Sequence, residues 1–185
     1  MRVGVDEVGR GCWAGPLVAA AVVLRDPIEG LTDSKLLTRV QRLNLARLIR
    51  QRASKVGIGW VSASFVDEHG LTAATTEAMT LAVNSLRLEP TEIIVDGNLN
   101  YLSQLAGSQA VIKADLTHPE VSAASIVAKV ARDSYMTELS RMFPEYGFEQ
   151  HVGYGTALHR QALAKHGVCQ LHRQSYKPVY TLINP

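Results

Sequence analysis

Two adjacent carboxylates followed directly by a Gly-Arg-Gly turn are the residues near the start of the chain that are best suited to chemistry. Asp6 and Glu7 come after the apolar run 3–5, a predicted strand, and the turn comprises Gly9, Arg10 and Gly11. Glycine can adopt positive φ and lets the backbone approach a ligand, while arginine suits a phosphate or a planar edge. We interpret this segment as a metal-binding carboxylate pair beside a backbone cradle for nucleic acid, with a solvated polar hairpin turn as the alternative.

Side chains alternate between the two faces of a strand. Asp6 and Glu7 are therefore expected to converge only if the strand ends before them and the backbone turns.

Two further acids follow predicted strands. Asp96 directly follows the run 92–95. This run does not alternate between apolar and polar residues, so it is predicted to be a strand buried on both faces. Open α/β sheets place their sites at the carboxyl ends of such strands. Asp115 follows a second short strand predicted at 109–113.

Carboxylates that converge repel one another, so a site built from Asp6, Glu7, Asp96 and Asp115 requires cations. With oxygen ligands only, the expected metals are Mg²⁺ or Mn²⁺. Two such ions about 4 Å apart can hold an attacking water and a leaving oxygen in line across a phosphodiester.

The elements that must position these acids alternate between strands and helices. Residues 18–24 are predicted to pair with the first strand as a hairpin, and Thr38 is expected to cap a helix with a basic outer side. A third strand is predicted at 55–64, followed by a helix from about Thr72 to Pro90. This order indicates a mixed α/β fold.

The second half of the chain is predicted to be mainly helical. The longest helix is expected from Glu120 to Met142, with Ala131 and Tyr135 on its inner stripe. After a loop at 144–155, Thr156 or Gly155 is expected to cap a last helix that Gly167 closes, and the tail 171–178 is expected to be irregular.

Composition and charge narrow the possible functions. The chain has 185 residues, of which 46% are hydrophobic, which suits one main domain with a real core. The net charge is only +2, but no acid occurs between Asp33 and Asp67 or after Glu149. Two acid-free, basic regions suggest a polyanionic partner, although each one alone is typical of a solvated helix face.

The cysteines and the apolar segments exclude other classes. Cys12 and Cys169 are too few for a disulfide framework and are expected to be reduced thiols. His166, Cys169 and His172 are evenly spaced, but a zinc site requires four ligands. Because no signal sequence or membrane-spanning run is found, we expect a soluble cytoplasmic protein without a membrane partner.

Several motifs along the chain match one known family in their order. They are Asp6-Glu7-Val8-Gly9-Arg10-Gly11, Asp33-Ser34-Lys35, Val95-Asp96-Gly97, Lys113-Ala114-Asp115, the stretch 123–133 (Ala-Ala-Ser-Ile-Val-Ala-Lys-Val-Ala-Arg-Asp), Gly153-Tyr154-Gly155-Thr156 and His172-Arg173-Gln174-Ser175-Tyr176. With these motifs the chain resembles bacterial ribonuclease HII, the type 2 ribonuclease H. The opening motif together with the Ala-Ala-Ser-Ile-x-Ala-Lys helix is highly specific.

The resemblance implies an α/β, ribonuclease H-like fold, with a central mixed β-sheet flanked by helices and a small C-terminal helical region. Residues 1–142 would form the catalytic core, and residues 143–185 would contribute to substrate binding. The implied activity is hydrolysis of RNA in RNA–DNA hybrids and incision 5′ of ribonucleotides embedded in duplex DNA. The products would carry a 3′-hydroxyl and a 5′-phosphate.

The resemblance also assigns residues to roles. The family's metal-binding acids match Asp6, Glu7, Asp96 and Asp115, and the helix acid close to the site matches Asp133. Residues matching substrate contacts are Gly9, Arg10 and Gly11 at the 2′-hydroxyl, Ser34 and Lys35 at phosphates, and Tyr154 at the sugar of the RNA–DNA junction. Arg173, in the second basic region, is expected to contact the substrate backbone.

The sequence departs from the family pattern at few places. Val8 replaces the usual alanine, Ala114 replaces a common glycine, and Cys12-Trp13 replaces a smaller or proline-containing segment. Trp13 is bulky and closely follows the Gly-Arg-Gly turn that the resemblance assigns to the 2′-hydroxyl. Substrate preference is therefore the property that these departures are expected to affect most.

Two other functions are compatible with parts of the pattern. Another metal-dependent nuclease of the same fold would share the strand-end acids, but it would not need a Gly-Arg-Gly turn and would cut duplexes without ribonucleotides. A non-catalytic nucleic-acid-binding module would use the basic regions alone and show no metal-dependent turnover. We expect a monomer. A sliding-clamp partner is compatible with the sequence but has no support in it.

Overall fold

This computed structural model describes residues 1–32 and 34–184, so Asp33 of the predicted Asp-Ser-Lys motif lies outside it. The strands are β1 (Arg2–Val8), β2 (Leu17–Leu24), β3 (Ala53–Val61), β4 (Glu92–Asp96) and β5 (Ser108–Val111). The helices are α1 (Arg39–Arg52), α2 (Ala63–Ser85), α3 (Ala114–Thr117), α4 (Pro119–Met142), α5 (Phe148–His151), α6 (Ala157–His166) and α7 (Lys177–Ile183). Ser34–Leu36 and Pro144–Tyr146 form short 3₁₀ helices.

The strands form one mixed sheet in the order β3-β2-β1-β4-β5. β1 and β2 form the predicted antiparallel hairpin, with Val5 opposite Ala21. β1 also pairs in parallel with β4, with Val5 opposite Val95, and β4 pairs in parallel with β5. Ile93 and Ile94 are almost completely buried, which confirms that β4 is covered on both faces.

Helices cover both faces of this sheet. α2 packs on one face, where Met79 joins the apolar cluster that contains Val5. α1 and α4 cover the other face, where Ile49 and Ile126 pack together with residues of β2. The predicted α/β class with a central mixed sheet is therefore confirmed.

α2 begins earlier than the sequence predicts. Its first residue is Ala63 rather than a residue near Thr72, and the hydroxyl of Ser62 caps it by accepting the Phe65 N–H at 3.1 Å. Gly70 has φ 81° and interrupts the helical backbone within α2. This break separates the first turns from the regular apolar spacing that follows, so the pattern predicts only the second part of the helix.

The C-terminal tail is also more regular than predicted. α7 begins at Lys177, with Pro178 in its first turn and Val179 completely buried. Proline is well tolerated at this position because the first helical N–H groups have no partner within the helix. The loop predicted at 144–155 contains a 3₁₀ helix and α5.

The inner stripe of α4 differs from the prediction near its C-terminal half. Tyr135 is 43% exposed and Ala131 is half-buried, whereas Arg132 and Met136 are completely buried. Arg132 and Met136 continue the stripe at i+4 from Ala128, but a charged side chain is normally placed outside a helix. Because Arg132 is charged, the pattern assigns it to the outer side, and the predicted stripe is therefore displaced by one residue from the observed one.

Two predicted helix boundaries are confirmed. Thr38 and Gln41 form a reciprocal capping box at the start of α1. Thr156 caps α6, which ends before Gly167 at φ 72°. Within the described part of the chain, no helix is both long enough and apolar enough to cross a bilayer.

Gly4 allows α4 to lie directly against β1, which predicts a strong effect of a single methyl group. A Cβ at Gly4 would lie 2.2 Å from the Glu120 carbonyl carbon and 2.3 Å from the Val121 nitrogen. We expect Gly4→Ala to lower the free energy of unfolding by about 3 kcal/mol or more, because backbone atoms would have to move. Equilibrium urea unfolding measures this loss.

Gly11→Ala is the matched control, because a Cβ there meets nothing within 4 Å and Gly11 has no positive φ. Equal stability of the two variants would contradict the close approach of α4 to β1.

Candidate active site

Asp6 and Asp96 lie next to each other on the two neighbouring strands β1 and β4. Val5 of β1 is paired with Val95 of the parallel strand β4, and each strand continues with an aspartate. Paired residues on parallel strands lie about 4.8 Å apart, and their side chains point to the same face. The register of one strand pair thus brings together two acids that are distant in sequence.

Glu7 joins them although the strand does not end before it. β1 continues to Val8, with Asp6 opposite Ala20 and Glu7 opposite Ala19 of β2, so the expectation of a strand end before these acids is wrong. Pairing with β4 stops at Val5, however, and the unpaired edge of β1 opens into a cleft. Side chains on both faces of β1 can reach this opening.

The cleft has a volume of about 370 Å³. The residues that line it are Asp6, Glu7, Val8, Gly9, Arg10, Gly11, Ser34, Lys35, Asp96, Ser125, Lys129 and Tyr154. Most of the site residues predicted from sequence therefore lie around one opening.

Burial and mutual repulsion disfavour the charged forms of the two acids on β1. Burial raises the pKa of Asp6 well above its usual value, and the charges of Glu7 and Asp96 raise it further. The pKa of Glu7 is also raised, mainly by burial, although the charge of Arg10 opposes this shift. A positive charge in the cleft would stabilise both carboxylates.

Asp115 and Asp133 lie beside the cleft rather than among the residues that line it. Asp115 is buried in α3, and the N–H of the preceding Ala114 donates to Asp96 Oδ1 at 2.7 Å. Asp133 accepts from Lys129 Nζ at 3.0 Å. Three of the four predicted acids thus share one cleft, and the role of Asp115 as a ligand stays a prediction.

The donors at the cleft suit a hard divalent cation. They are carboxylate oxygens, which Mg²⁺ and Mn²⁺ prefer. Glu7 Oε2 is buried and has no hydrogen-bond partner among the described residues. Over residues 1–32 and 34–184, no group of three or more His, Cys, Asp or Glu side chains is arranged so that it could hold a metal ion. The type of donor atom favours a metal site, whereas the arrangement of the described side chains does not show one. The metal site therefore stays a prediction.

The Gly-Arg-Gly turn forms one wall of the cleft. Gly9 has φ 94°, and a Cβ there would lie 2.4 Å from Arg132 Nε, so this position requires glycine. Gly11 has open space around it and no positive φ. The Arg10 guanidinium lies 3.4 Å from Glu7 Oε1 and 5.4 Å from the ring centre of Tyr101.

The opposite wall carries hydroxyl and ammonium groups. The Ser125 hydroxyl lies 2.8 Å from the hydroxyl of buried Ser34, and Ser125 partly offsets the rise in the pKa of Asp6. Lys35 is exposed, and Lys129 Nζ lies 5.6 Å from the ring centre of Tyr154. Groups able to bind phosphate and sugar therefore line the same cleft as the carboxylates.

Comparison with known proteins agrees with this geometry. A family model described as Ribonuclease HII matches residues 3–179. The chain belongs to the ribonuclease HII family. Ribonuclease HII of Synechococcus sp. (strain WH7803) is 46% identical over 182 residues, covering 95% of this chain and 94% of the relative.

Solved structures of the family have the same fold. The ribonuclease H2 of Pyrococcus horikoshii OT3 superimposes with a TM-score of 0.84 and 29% identity, over 99% of this chain and 97% of that one. RNase HII in the PCNA:RNase HII complex from Archaeoglobus fulgidus gives 0.83 and 30%, over 98% and 96%. The predicted ribonuclease H-like fold is confirmed.

Family membership also settles the class of activity. The chain is a metal-dependent ribonuclease H, a class of hydrolases that act on RNA–DNA hybrids. Membership favours the enzyme over the non-catalytic binding module.

In this member of the ribonuclease HII family, Arg173 does not have the exposure that a substrate contact requires. Its side chain is completely buried and donates to the carbonyls of Gly15 at 2.9 Å and Arg10 at 3.1 Å. Burial lowers the pKa of Arg173, while the adjacent Tyr176 opposes that shift. The expectation that Arg173 contacts the substrate backbone is therefore corrected: it supports the Gly-Arg-Gly turn from behind.

Arg132 has a similar supporting role, which the sequence reasoning missed. It is completely buried in α4 and donates to the carbonyls of Ala14 at 3.0 Å, Pro16 at 2.8 Å and Val152 at 2.8 Å. Its spacing of i+4 from the buried Ala128 is the signal that could have placed it inside the protein. Arg132 links α4 to segments on both sides of the cleft.

Three buried histidines form a further group behind Tyr154. His159 Nε2 lies 3.0 Å from His172 Nε2, and the rings of His151 and His159 are stacked with centroids 4.4 Å apart. Burial, with a smaller contribution from neighbouring histidines, lowers the pKa of His159 and of His172 to about 4. The evenly spaced His166, Cys169 and His172 do not form a metal site among the described residues.

These histidines predict a loss of stability in acid. The pKa of His159 and that of His172 are about 4 in the folded protein, against a reference value of 6.5. Between these values the unfolded state binds more protons, so stability present above pH 6.5 falls as the pH approaches 4. We expect His172→Gln to reduce the slope of unfolding free energy against pH in this window, measured by urea unfolding.

His166→Gln removes an exposed histidine and is the control that should leave the slope unchanged. An unchanged slope in His172→Gln as well would mean that His172 is not buried in its neutral form.

Proposed function

We propose that the chain is an endoribonuclease that cuts the RNA strand of RNA–DNA hybrids and incises duplex DNA on the 5′ side of an embedded ribonucleotide. The products would carry a 3′-hydroxyl and a 5′-phosphate. One observation carries this proposal: the cleft that holds Asp6, Glu7 and Asp96 is also lined by the Gly-Arg-Gly turn. Groups suited to phosphodiester hydrolysis thus face groups able to read a ribose.

Asp6, Glu7 and Asp96, with Asp115 beside them, would hold Mg²⁺ or Mn²⁺. Two such ions, when bound, would lower the pKa of the attacking water and stabilise the leaving 3′-oxygen. The protein fixes these oxygen ligands at the ends of two paired central strands, which are rigid supports for a reacting centre.

Recognition of ribose must depend on one hydroxyl, which both donates and accepts hydrogen bonds. Backbone groups of Gly9, Arg10 and Gly11 line the cleft, and the positive φ of Gly9 turns the chain there. Arg173 and Tyr176 both donate to the Arg10 carbonyl, so this wall is held in a fixed position. A fixed wall can accept a 2′-hydroxyl at one place and leave a deoxyribose without that contact.

The remaining contacts would come from both parts of the chain. Lys35, Ser34 and Tyr154 all line the cleft. Lys35 and Ser34 would meet a phosphate, and Tyr154 would pack on the sugar next to the ribonucleotide. Tyr154 lies in the segment 143–184, which supports the proposal that the C-terminal region contributes to substrate binding.

Replacing Asp96 by Asn tests the proposed function directly. The asparagine side chain would keep an oxygen for the Ala114 N–H but would lose the charge that a metal requires. On a duplex with one ribonucleotide, we expect cleavage to fall at least about a hundred-fold while hybrid binding is retained. Cleavage assays with Mg²⁺, Mn²⁺ or chelator, together with filter binding, measure both quantities.

Asp26→Asn, in an exposed loop, removes the same charge away from the cleft and should cut normally. A near-normal rate for Asp96→Asn with Mg²⁺ would refute the metal site. Equal cutting of a duplex without any ribonucleotide would instead favour a DNA nuclease of the same fold.

Lys35→Ala tests the phosphate contact. Loss of one phosphate contact should weaken binding and reduce the slope of log affinity against log salt by about 0.9. Fluorescence anisotropy on a labelled hybrid at several salt concentrations measures this slope.

Arg2→Gln is the charge-matched control, since Arg2 starts the strand whose other end carries Asp6 and Glu7. An unchanged slope in Lys35→Ala, as in this control, would exclude Lys35 from the contact.

A further inference from the structure

The backbone around Tyr154 is held by histidine rings. The Tyr154 carbonyl lies 3.0 Å from His159 Nδ1, and the Gly153 N–H donates to His151 Nδ1 at 3.2 Å. His159 is completely buried and His151 is nearly so. The segment that presents Tyr154 to the cleft is therefore fixed from its buried side.

The partners of the rings determine one set of tautomers. Because a carbonyl only accepts, His159 Nδ1 carries the proton, and its Nε2 accepts from His172 Nε2 at 3.0 Å. His172 Nδ1 then accepts the Cys169 N–H at 2.9 Å. His151 accepts at Nδ1 and donates from Nε2 to the Tyr146 carbonyl at 2.8 Å. Each ring nitrogen thus has a partner, and the chain of bonds ends on the Tyr154 backbone.

The side chain of Tyr154 is held at its other end. Its hydroxyl neighbours the thiol of Cys12, which is completely buried and directly follows the Gly-Arg-Gly turn. The backbone N–H of Trp13 donates to the Gly153 carbonyl at 2.8 Å and holds these two segments together. Burial, followed by the neighbouring Cys12, raises the pKa of Tyr154 to about 12, so the hydroxyl keeps its proton. The ring itself is 39% exposed and faces the cleft.

Trp13 completes the support. A Cβ at Gly155 would lie 2.1 Å from the indole of Trp13, and the indole lies 5.7 Å from the His159 ring. Tyr154 is therefore bounded by the turn that would read the 2′-hydroxyl and by a buried group of rings.

We propose that His159, His172 and Cys12 are positioning residues that set the place of the Tyr154 ring and thereby the preference for a ribonucleotide next to deoxyribose. This inference rests on the proposed function, in which Tyr154 packs on the sugar at that junction. The three residues touch Tyr154 or each other and need not touch the substrate. A ring whose backbone is held by His159 and whose hydroxyl lies beside Cys12 rejects a second ribose by shape, because it cannot move aside.

The experiment measures kcat/KM on two substrates, a duplex with one ribonucleotide and a continuous RNA–DNA hybrid. The ratio of kcat/KM on the single-ribonucleotide duplex to kcat/KM on the continuous hybrid reports junction preference. A general loss of folding or chemistry lowers both values equally and leaves this ratio unchanged. Tyr154→Ala is the reference variant, and His166→Leu, an exposed histidine of α6, is the matched control.

His159→Leu should lower the ratio about fivefold, the loss expected for one ordinary hydrogen bond. His159→Asn should restore most of it, because the asparagine amide can donate from nearly the position of Nδ1. Cys12→Ala should lower the ratio similarly, and the loss should disappear when Tyr154→Phe is already present, since the hydroxyl is then absent. Cys12→Ala is a small change, so it decides the question if His159→Leu does not fold.

The outcomes separate the two levels of the proposal. If Tyr154→Ala leaves the ratio unchanged, the junction role of Tyr154 is wrong, and the positioning role falls with it. If Tyr154→Ala lowers the ratio but Cys12→Ala and His159→Leu do not, the proposed function stands and the positioning network is refuted. If Cys12→Ala causes the same loss in the wild-type chain and in the Tyr154→Phe variant, the thiol contact is refuted.

Discussion

The site depends on the parallel register between β1 and β4. Val5 and Val95 are paired and buried, and the next residue on each strand is an aspartate. Apolar burial on both strands therefore holds two like charges next to each other, and Glu7 adds a third at the same opening. Such an arrangement raises the free energy of the folded protein unless a cation is bound. In the proposed function a bound cation removes this repulsion, so the acids would lower stability only while the cleft holds no metal ion.

Buried, positively charged arginine side chains hold the loops around the cleft. Segments 10–16 and 152–153 are mostly irregular, so their carbonyls lack the partners that a helix or sheet would provide. Arg132 and Arg173 donate to five of these carbonyls from completely buried positions. A guanidinium can serve several acceptors at once, and hydrogen bonds to a charged donor are stronger than neutral ones. The two buried guanidinium groups thus fix the shape of the walls of the cleft.

Sequence predicted the parts of the molecule that depend on local pattern. The β1–β2 hairpin, the buried β4, the caps of α1 and α6 and the gathering of Asp6, Glu7 and Asp96 follow from apolar runs and their end residues. What sequence missed depends on long-range contacts. Arg173 has the composition of a phosphate contact, and only the fold reveals that it faces carbonyls of the N-terminal turn. The break at Gly70 and the buried Arg132 likewise oppose the pattern that local rules use.

Trp13 illustrates how a departure from a family pattern can act at a distance. The sequence places this bulky residue directly after the Gly-Arg-Gly turn, which predicts an effect on substrate preference. In the fold it is not among the residues that line the cleft, and its indole packs instead on Gly155 and near His159. The backbone N–H of Trp13 donates to the Gly153 carbonyl, and the backbone carbonyl of Trp13 accepts the Arg173 N–H. These two bonds connect the end of the Gly-Arg-Gly turn to the segments around Gly153 and Arg173. An influence of Trp13 on substrate preference would therefore pass through the positions of Tyr154 and of the Gly-Arg-Gly turn, not through lining the cleft.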